Sequence, residues 1–138
     1  DLIEAISKEE CDLIISKYAR VSSYDECLNI AVEFILKNRR ATLHIYNSSN
    51  RDIYERYLMQ LCQYIVETYL DTAFSDRRIS DADRSVIVLS YKCHCFGLFV
   101  DWLNNGLKAD IQPVLNRLCA LRRGMIEEMI DRAASSAG

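Results

Sequence analysis

The stretch 86–107, VIVLSYKCHCFGLFVDWLNNGL, constrains this chain more than any other, because it is apolar on nearly every side and too long for a strand. Its only formal charges are Lys92 and Asp101. A helix that is apolar all round must be covered on all its faces, by the core of its own domain or by a second chain. Gly97 sits in its middle, where it costs roughly 1 kcal/mol relative to Ala unless something uses the missing side chain. Close approach of another helix backbone is such a use. At about 1.5 Å per residue, a helix over 80–105 runs roughly 40 Å, as long as a domain of this size is wide. The rest of the chain is therefore arranged around it as a spine.

A chain of 138 residues, 50% hydrophobic, is long enough for one domain with a real core, taken here as 1–138. With only 4 Gly and 1 Pro, and periodic apolar residues throughout, the composition predicts an all-α fold with short connections. The net charge of -3 and pI near 5.4 lack the basic footprint of a nucleic-acid surface. The six cysteines, at 11, 27, 62, 93, 95 and 119, fall in helical runs and not in the loops of a disulfide scaffold, which predicts reduced thiols and a cytosolic setting. Lys92 and Asp101 interrupt the longest apolar run, so no membrane span is expected. No signal peptide opens the chain, and its first residue is Asp1 and not Met, which reads as a piece of a longer protein.

In order, Leu2, Ile3, Ile6, Leu13, Ile14 and Tyr18 predict a first helix over about 2–19, continuous or restarted at the Ser7/Glu10 capping box. Ser23 and Glu26 form a second capping box and open a helix through Phe34 and Ile35 to about Asn38. A short helix follows from Arg40 to about Tyr46, ending in the polar turn 47–50. A long helix then runs to about Phe74, with Ile53, Tyr57, Leu61, Tyr64, Ile65, Thr68 and Tyr69 expected inward. The polar run 75–85 closes with Ser80 and Asp83 as caps of the spine, and Asn104, Asn105 and Gly106 stop it. Asp110 caps the last helix, with Pro113 in its first turn and a stripe of Ile111, Val114, Leu115, Leu118, Leu121, Met125 and Met129. That makes about six helices, the two longest antiparallel or nearly so.

The segment 96–125 resembles the C-terminal regulatory domain of TetR-family (TetR/AcrR) transcriptional regulators. The resemblance is carried by Phe96, Gly97, Leu98, Phe99, Trp102, Leu103 and Gly106 on the spine, then by Leu115, Leu118 and Gly124 on the last helix. The opening Asp1 to Ile6 is similar to the start of that family's connecting helix, and helix order and lengths agree over essentially the whole chain. The resemblance implies a homodimer in which the spine and the last helix, about 110–133, pack across a two-fold axis as a four-helix bundle. Phe96, Gly97, Val100, Leu103, Leu115, Leu118, Arg122 and Met125 are its expected interface, and such an obligate surface buries roughly 2,000 Å² or more. The other helices are expected to enclose a pocket for a small-molecule effector. His44 and Tyr46 would frame its entrance, and Tyr57, Cys62, Tyr64, Tyr91, Cys95 and Phe99 would line it. DNA would be met only through an N-terminal helix-turn-helix head absent from this chain, and the protein would be bacterial and cytoplasmic, with no membrane partner.

Other chemistry finds little support in the residues. Cys93, His94 and Cys95 look like a metal motif, but on a helix positions two apart point about 200° away from each other, so the two thiols cannot grip one ion and no metal is expected. A redox role for Cys27, Cys62 or Cys95 competes with the ordinary behaviour of a buried cysteine as an inert small hydrophobe. The sequence has no nucleophile elbow, HExxH or phosphate loop, and pairs such as Glu9/Glu10, Asp81/Asp83 and Glu127/Glu128 sit in polar runs. Neither catalysis nor a cofactor is expected. The alternative from another class is a helical protein-interaction module without a small-molecule pocket, in which the apolar spine meets a different protein.

Overall fold

The computed structural model describes residues 23–37 and 39–137, so the helix expected over 2–19 lies outside the described residues. Among the described residues there are six helices and no strand: α1 (Tyr24–Lys37), α2 (Arg39–Tyr46), α3 (Arg51–Ala73), α4 (Asp81–Asn104), α5 (Gln112–Leu121) and α6 (Met125–Ala137). Ser23 and Ser80 act as N-caps as the sequence predicts, while the Ser7/Glu10 pair lies outside the described residues. Ser23 Oγ accepts from the Glu26 N–H at 3.2 Å and starts α1, and Ser80 Oγ accepts from the Asp83 N–H at 3.1 Å and starts α4. Each satisfies one of the donors that a helix start leaves without a backbone partner.

α3 and α4 are the long antiparallel pair. Lys92 Nζ donates to Gln63 Oε1 at 2.8 Å, Cys62 and Cys95 bring their sulfurs to 3.5 Å, and Arg84 pairs with Asp71 at 3.0 Å, so partners descend α4 as they climb α3. α1 crosses this pair and buries Cys27, Leu28, Ile30, Ala31, Phe34 and Ile35, a helical stripe aimed into the centre of the bundle. Its Cys27 thiol donates to the Ile65 carbonyl at 3.7 Å and its Phe34 ring stacks 6.0 Å from Tyr54. α2 is tied down by polar contacts: Thr42 Oγ1 donates to the Ile35 carbonyl, Arg39 to the Leu107 carbonyl at 2.7 Å, and the Tyr46 hydroxyl to Asn104 Oδ1 at 2.8 Å.

α4 is, by length and composition, apolar enough to cross a membrane. In this bundle one of its faces, Ile87, Val88, Tyr91, Cys95, Phe99, Trp102 and Leu103, is core. It ends at the expected Gly106 in a Schellman motif, with the Leu107 N–H on the Trp102 carbonyl at 3.1 Å and the Gly106 N–H on the Leu103 carbonyl at 2.9 Å. Gly106 and Leu107 both have positive φ, 69° and 56°. Leu107 accepts that conformation because its side chain is fully buried and its carbonyl is held by Arg39. The Trp102 indole N–H then donates to the Ala109 carbonyl at 2.9 Å and closes the link into α5.

Two expectations need correction. The single last helix is two, because Gly124 adopts φ of 85° and breaks the chain after the Arg122 N–H has closed on the Leu118 carbonyl. Beyond the break the inward positions are Ile126, Ile130 and Ala133, while Val114, Leu121, Met125 and Met129 of the expected stripe are exposed. On α3 the buried stripe is Tyr54, Leu58, Leu61, Cys62, Ile65, Val66, Tyr69 and Leu70, rotated from the expected one so that Tyr64 is 46% exposed. Apolar and tyrosine side chains surround α3 on most sides, so periodicity alone does not fix which stripe faces inward.

Candidate functional site

A half-open cavity of about 340 Å³ lies between the start of α1, the middle of α4, and α5 with its turn into α6. That is at the lower end of the range typical of small-molecule sites. Three tyrosines from three helices line it, Tyr24, Tyr69 and Tyr91. The Tyr24 and Tyr91 rings meet edge to face, centroids 5.3 Å apart at 75°, and Tyr24 also stands 6.2 Å from the His94 ring. The Tyr24 hydroxyl and His94 Nε2 are buried with no hydrogen-bond partner among the described residues. Buried polar atoms are nearly always paired, so these two mark a place that some further group completes.

Charge enters the cavity from the α5–α6 turn and from helix starts. The Arg122 guanidinium lies over the Tyr91 ring, 5.4 Å from its centroid. Asp25 and Glu127 reach the rim, both exposed and both in the first turn of a helix, where the helix dipole favours an anion. Burial, then the hydrogen bond to Asp25, pushes the Cys119 thiol up to about 12, which keeps it protonated. Burial likewise raises Tyr24 and Tyr69 above the usual phenol range, the Arg122 charge partly opposing it at Tyr24. Burial, then the Arg122 charge, holds His94 below its ordinary value. At neutral pH the cavity therefore presents neutral hydroxyls, one half-buried guanidinium from Arg122 and an exposed one from Arg123: groups that bind and orient rather than attack.

The eight residues expected at a pocket are dispersed. Tyr91 lines the cavity. Cys62, Cys95 and Phe99 are fully buried in the core, the first two against each other, with their mutual hydrogen bond and then burial holding Cys62 protonated. Tyr46 is buried under Arg51, whose guanidinium is 4.3 Å from its ring centroid. Tyr57 is half-buried, Tyr64 is on the surface, and His44 is exposed in a shallow groove with Arg39 and Arg40. Sequence reasoning missed Tyr24, Tyr69, Asn116 and Cys119 as lining residues, since nothing local distinguishes them from neighbouring positions of the same helices.

The expected interface residues also divide. Leu103 and Leu115 are core residues of this chain, each 2% exposed, and Arg122 turns to the cavity. Phe96, Val100 and Leu118 are half-buried, while Gly97 and Met125 are open. Val86, Leu89, Cys93, Phe96 and Val100 recur at alternating steps of three and four along the outer face of α4, the spacing of a helix-packing seam. Val86 and Leu89 are 65% and 54% exposed, and a Cβ added to Gly97 meets no atom within 4 Å. Within one chain nothing uses the gap at Gly97.

Comparison with known proteins agrees with this helical frame. The family model described as a transcriptional regulator C-terminal region, of the TetR type, matches residues 22–124, and the chain belongs to that family. The matched span runs from the start of α1 to Gly124, where α5 gives way to α6. No curated protein and no solved structure matches the chain.

Proposed function

We propose that this chain is the effector-binding and dimerisation domain of a TetR-like bacterial regulator, acting in the cytoplasm, with DNA contacted by a helix-turn-helix domain upstream of residue 1. The family match carries the regulatory assignment. The cavity with its unpartnered Tyr24 hydroxyl supports small-molecule binding, and the open seam of α4 supports pairing with a second copy. The mechanism is a population shift. An effector that fits one arrangement of α1, α4 and α5 better than another changes the spacing of the two DNA-binding heads by its differential affinity for the two states.

The exposed seam also favours a second reading, a helical module whose spine meets a different protein. The coding sequence upstream of residue 1 separates the two. A helix-turn-helix joined to this chain is expected, and an unrelated domain there contradicts the regulator assignment.

A further inference from the structure

We propose that the cavity between α1, α4 and α5 takes a small monoanionic organic carboxylate, its charge received by Arg122 and an oxygen by the Tyr24 hydroxyl. The inference rests on the reading of this chain as a ligand-sensing domain and adds the chemistry of what is sensed.

Four observations point to that chemistry. The Arg122 guanidinium makes no ion pair among the described residues, yet it is half-buried and held against the Tyr91 ring. A guanidinium presents a planar fork that matches a carboxylate. Tyr91 is 2% exposed and lines the cavity, and the hydroxyl of Tyr24 beside it is buried with no hydrogen-bond partner among the described residues. Of the two acidic residues at the rim, Asp25 accepts from the Cys119 thiol and Glu127 lies exposed in the first turn of α6. Arg123 also lines the cavity but on its exposed side, so Arg122 is the one half-buried charge among the lining residues.

One half-buried cation matches one negative charge, which favours a carboxylate over a phosphate dianion held beside Asp25 and Glu127. The apolar part of the wall is the tyrosine rings with Ala120 and Ile126, which suits an aromatic or short aliphatic body, and Ser23 and Asn116 add polar groups beside it. At about 30 Å³ per water, the 340 Å³ cavity holds a molecule on the order of ten non-hydrogen atoms.

The test titrates the purified chain with 4-fluorobenzoate and, separately, with its uncharged isostere 4-fluorobenzamide, read by fluorine NMR. The acid is expected to bind saturably and at least tenfold more tightly than the amide. Arg122→Met should bring the acid to the level of the amide, and Tyr24→Phe should weaken the acid several-fold, with unchanged helical content by circular dichroism. If Arg122→Met fails to fold, the acid-to-amide ratio in the unaltered chain still decides. Equal binding of acid and amide overturns the carboxylate assignment while leaving a ligand cavity and the sensing role in place. Binding of neither probe, or acid binding indifferent to Arg122→Met, overturns the inference. The oligomeric mass of the same sample reports independently on the dimer.

Discussion

The Arg122 guanidinium sits 5.4 Å from the centroid of the Tyr91 ring, so the turn that separates α5 from α6 is fastened to the middle of α4. The contact joins the break in the last helix to the wall of the cavity. A ligand that draws Arg122 toward itself therefore acts on the position of α5 and α6 relative to the spine.

Removing the unpartnered hydroxyl of Tyr24 should stabilise the chain. A buried, unsatisfied hydroxyl costs about 1–3 kcal/mol, so Tyr24→Phe is expected to raise the unfolding free energy by about 1 kcal/mol in urea denaturation. A decrease in stability would mean that the hydroxyl is satisfied in the folded protein. Tyr24→Phe should also weaken any cavity ligand that uses that hydroxyl, so stability and binding move in opposite directions.

Gly124 and Gly97 should respond oppositely to alanine in the isolated chain. Gly124 has φ of 85°, a conformation that costs an L-residue about 1–2 kcal/mol, so Gly124→Ala is expected to destabilise by about 1 kcal/mol although its Cβ meets nothing. Gly97 lies in a regular helix, where Ala is better than Gly by about 0.5–1 kcal/mol, so Gly97→Ala should stabilise a dilute monomer. If two α4 helices approach closely at Gly97, the same substitution weakens the dimer. Denaturation at two protein concentrations separates the effects, and unchanged association would place the close approach elsewhere.

Acid should destabilise the fold through His94. Burial holds its folded pKa below the ordinary 6.5, so between the two values the unfolded chain binds more protons than the folded one. The contribution is fully present above pH 6.5 and is lost as pH falls from there toward the folded value. His94→Gln is expected to flatten that part of the stability profile, and a profile unchanged by the substitution would remove His94 as its cause.

The centre of the core is intolerant of truncation. Phe99 is fully buried where it meets Trp102, centroids 6.5 Å apart, and Phe99→Ala should cost about 3–5 kcal/mol, enough to unfold much of a marginal domain. Tyr64→Ala on the exposed side of α3 should fall within about 0.5 kcal/mol of the unaltered chain by thermal denaturation. A large loss at Tyr64 would mean that another chain covers that surface.

Much of the frame was legible locally. Ser23 with Glu26 and Ser80 with Asp83 place two helix starts, and Asn105 with Gly106 places the end of the spine, because caps and left-handed stops depend on side chains a few residues apart. The break at Gly124 was hidden, since the apolar period continues through Leu121 and Met125 as if one helix ran on. What the periodicity marked there as inward is the outer face. The cavity was less legible still. Tyr24, Tyr69, Tyr91 and Arg122 come from four parts of the chain, and only the packing of α1 across α3 and α4 brings them together. Tyr64 and Tyr69 read alike in sequence, and a rotation of α3 about its axis sends one to solvent and the other to the cavity wall.

Native mass spectrometry of the purified chain tests the account most directly, because one spectrum reports both association through the α4 seam and any molecule retained in the cavity. The predicted result is a species at twice 15.9 kDa that Leu89→Asp converts to monomer. A monomer for the unaltered chain at micromolar concentration would contradict the account, since the exposed Val86, Leu89 and Gly97 face would then be free of a second copy.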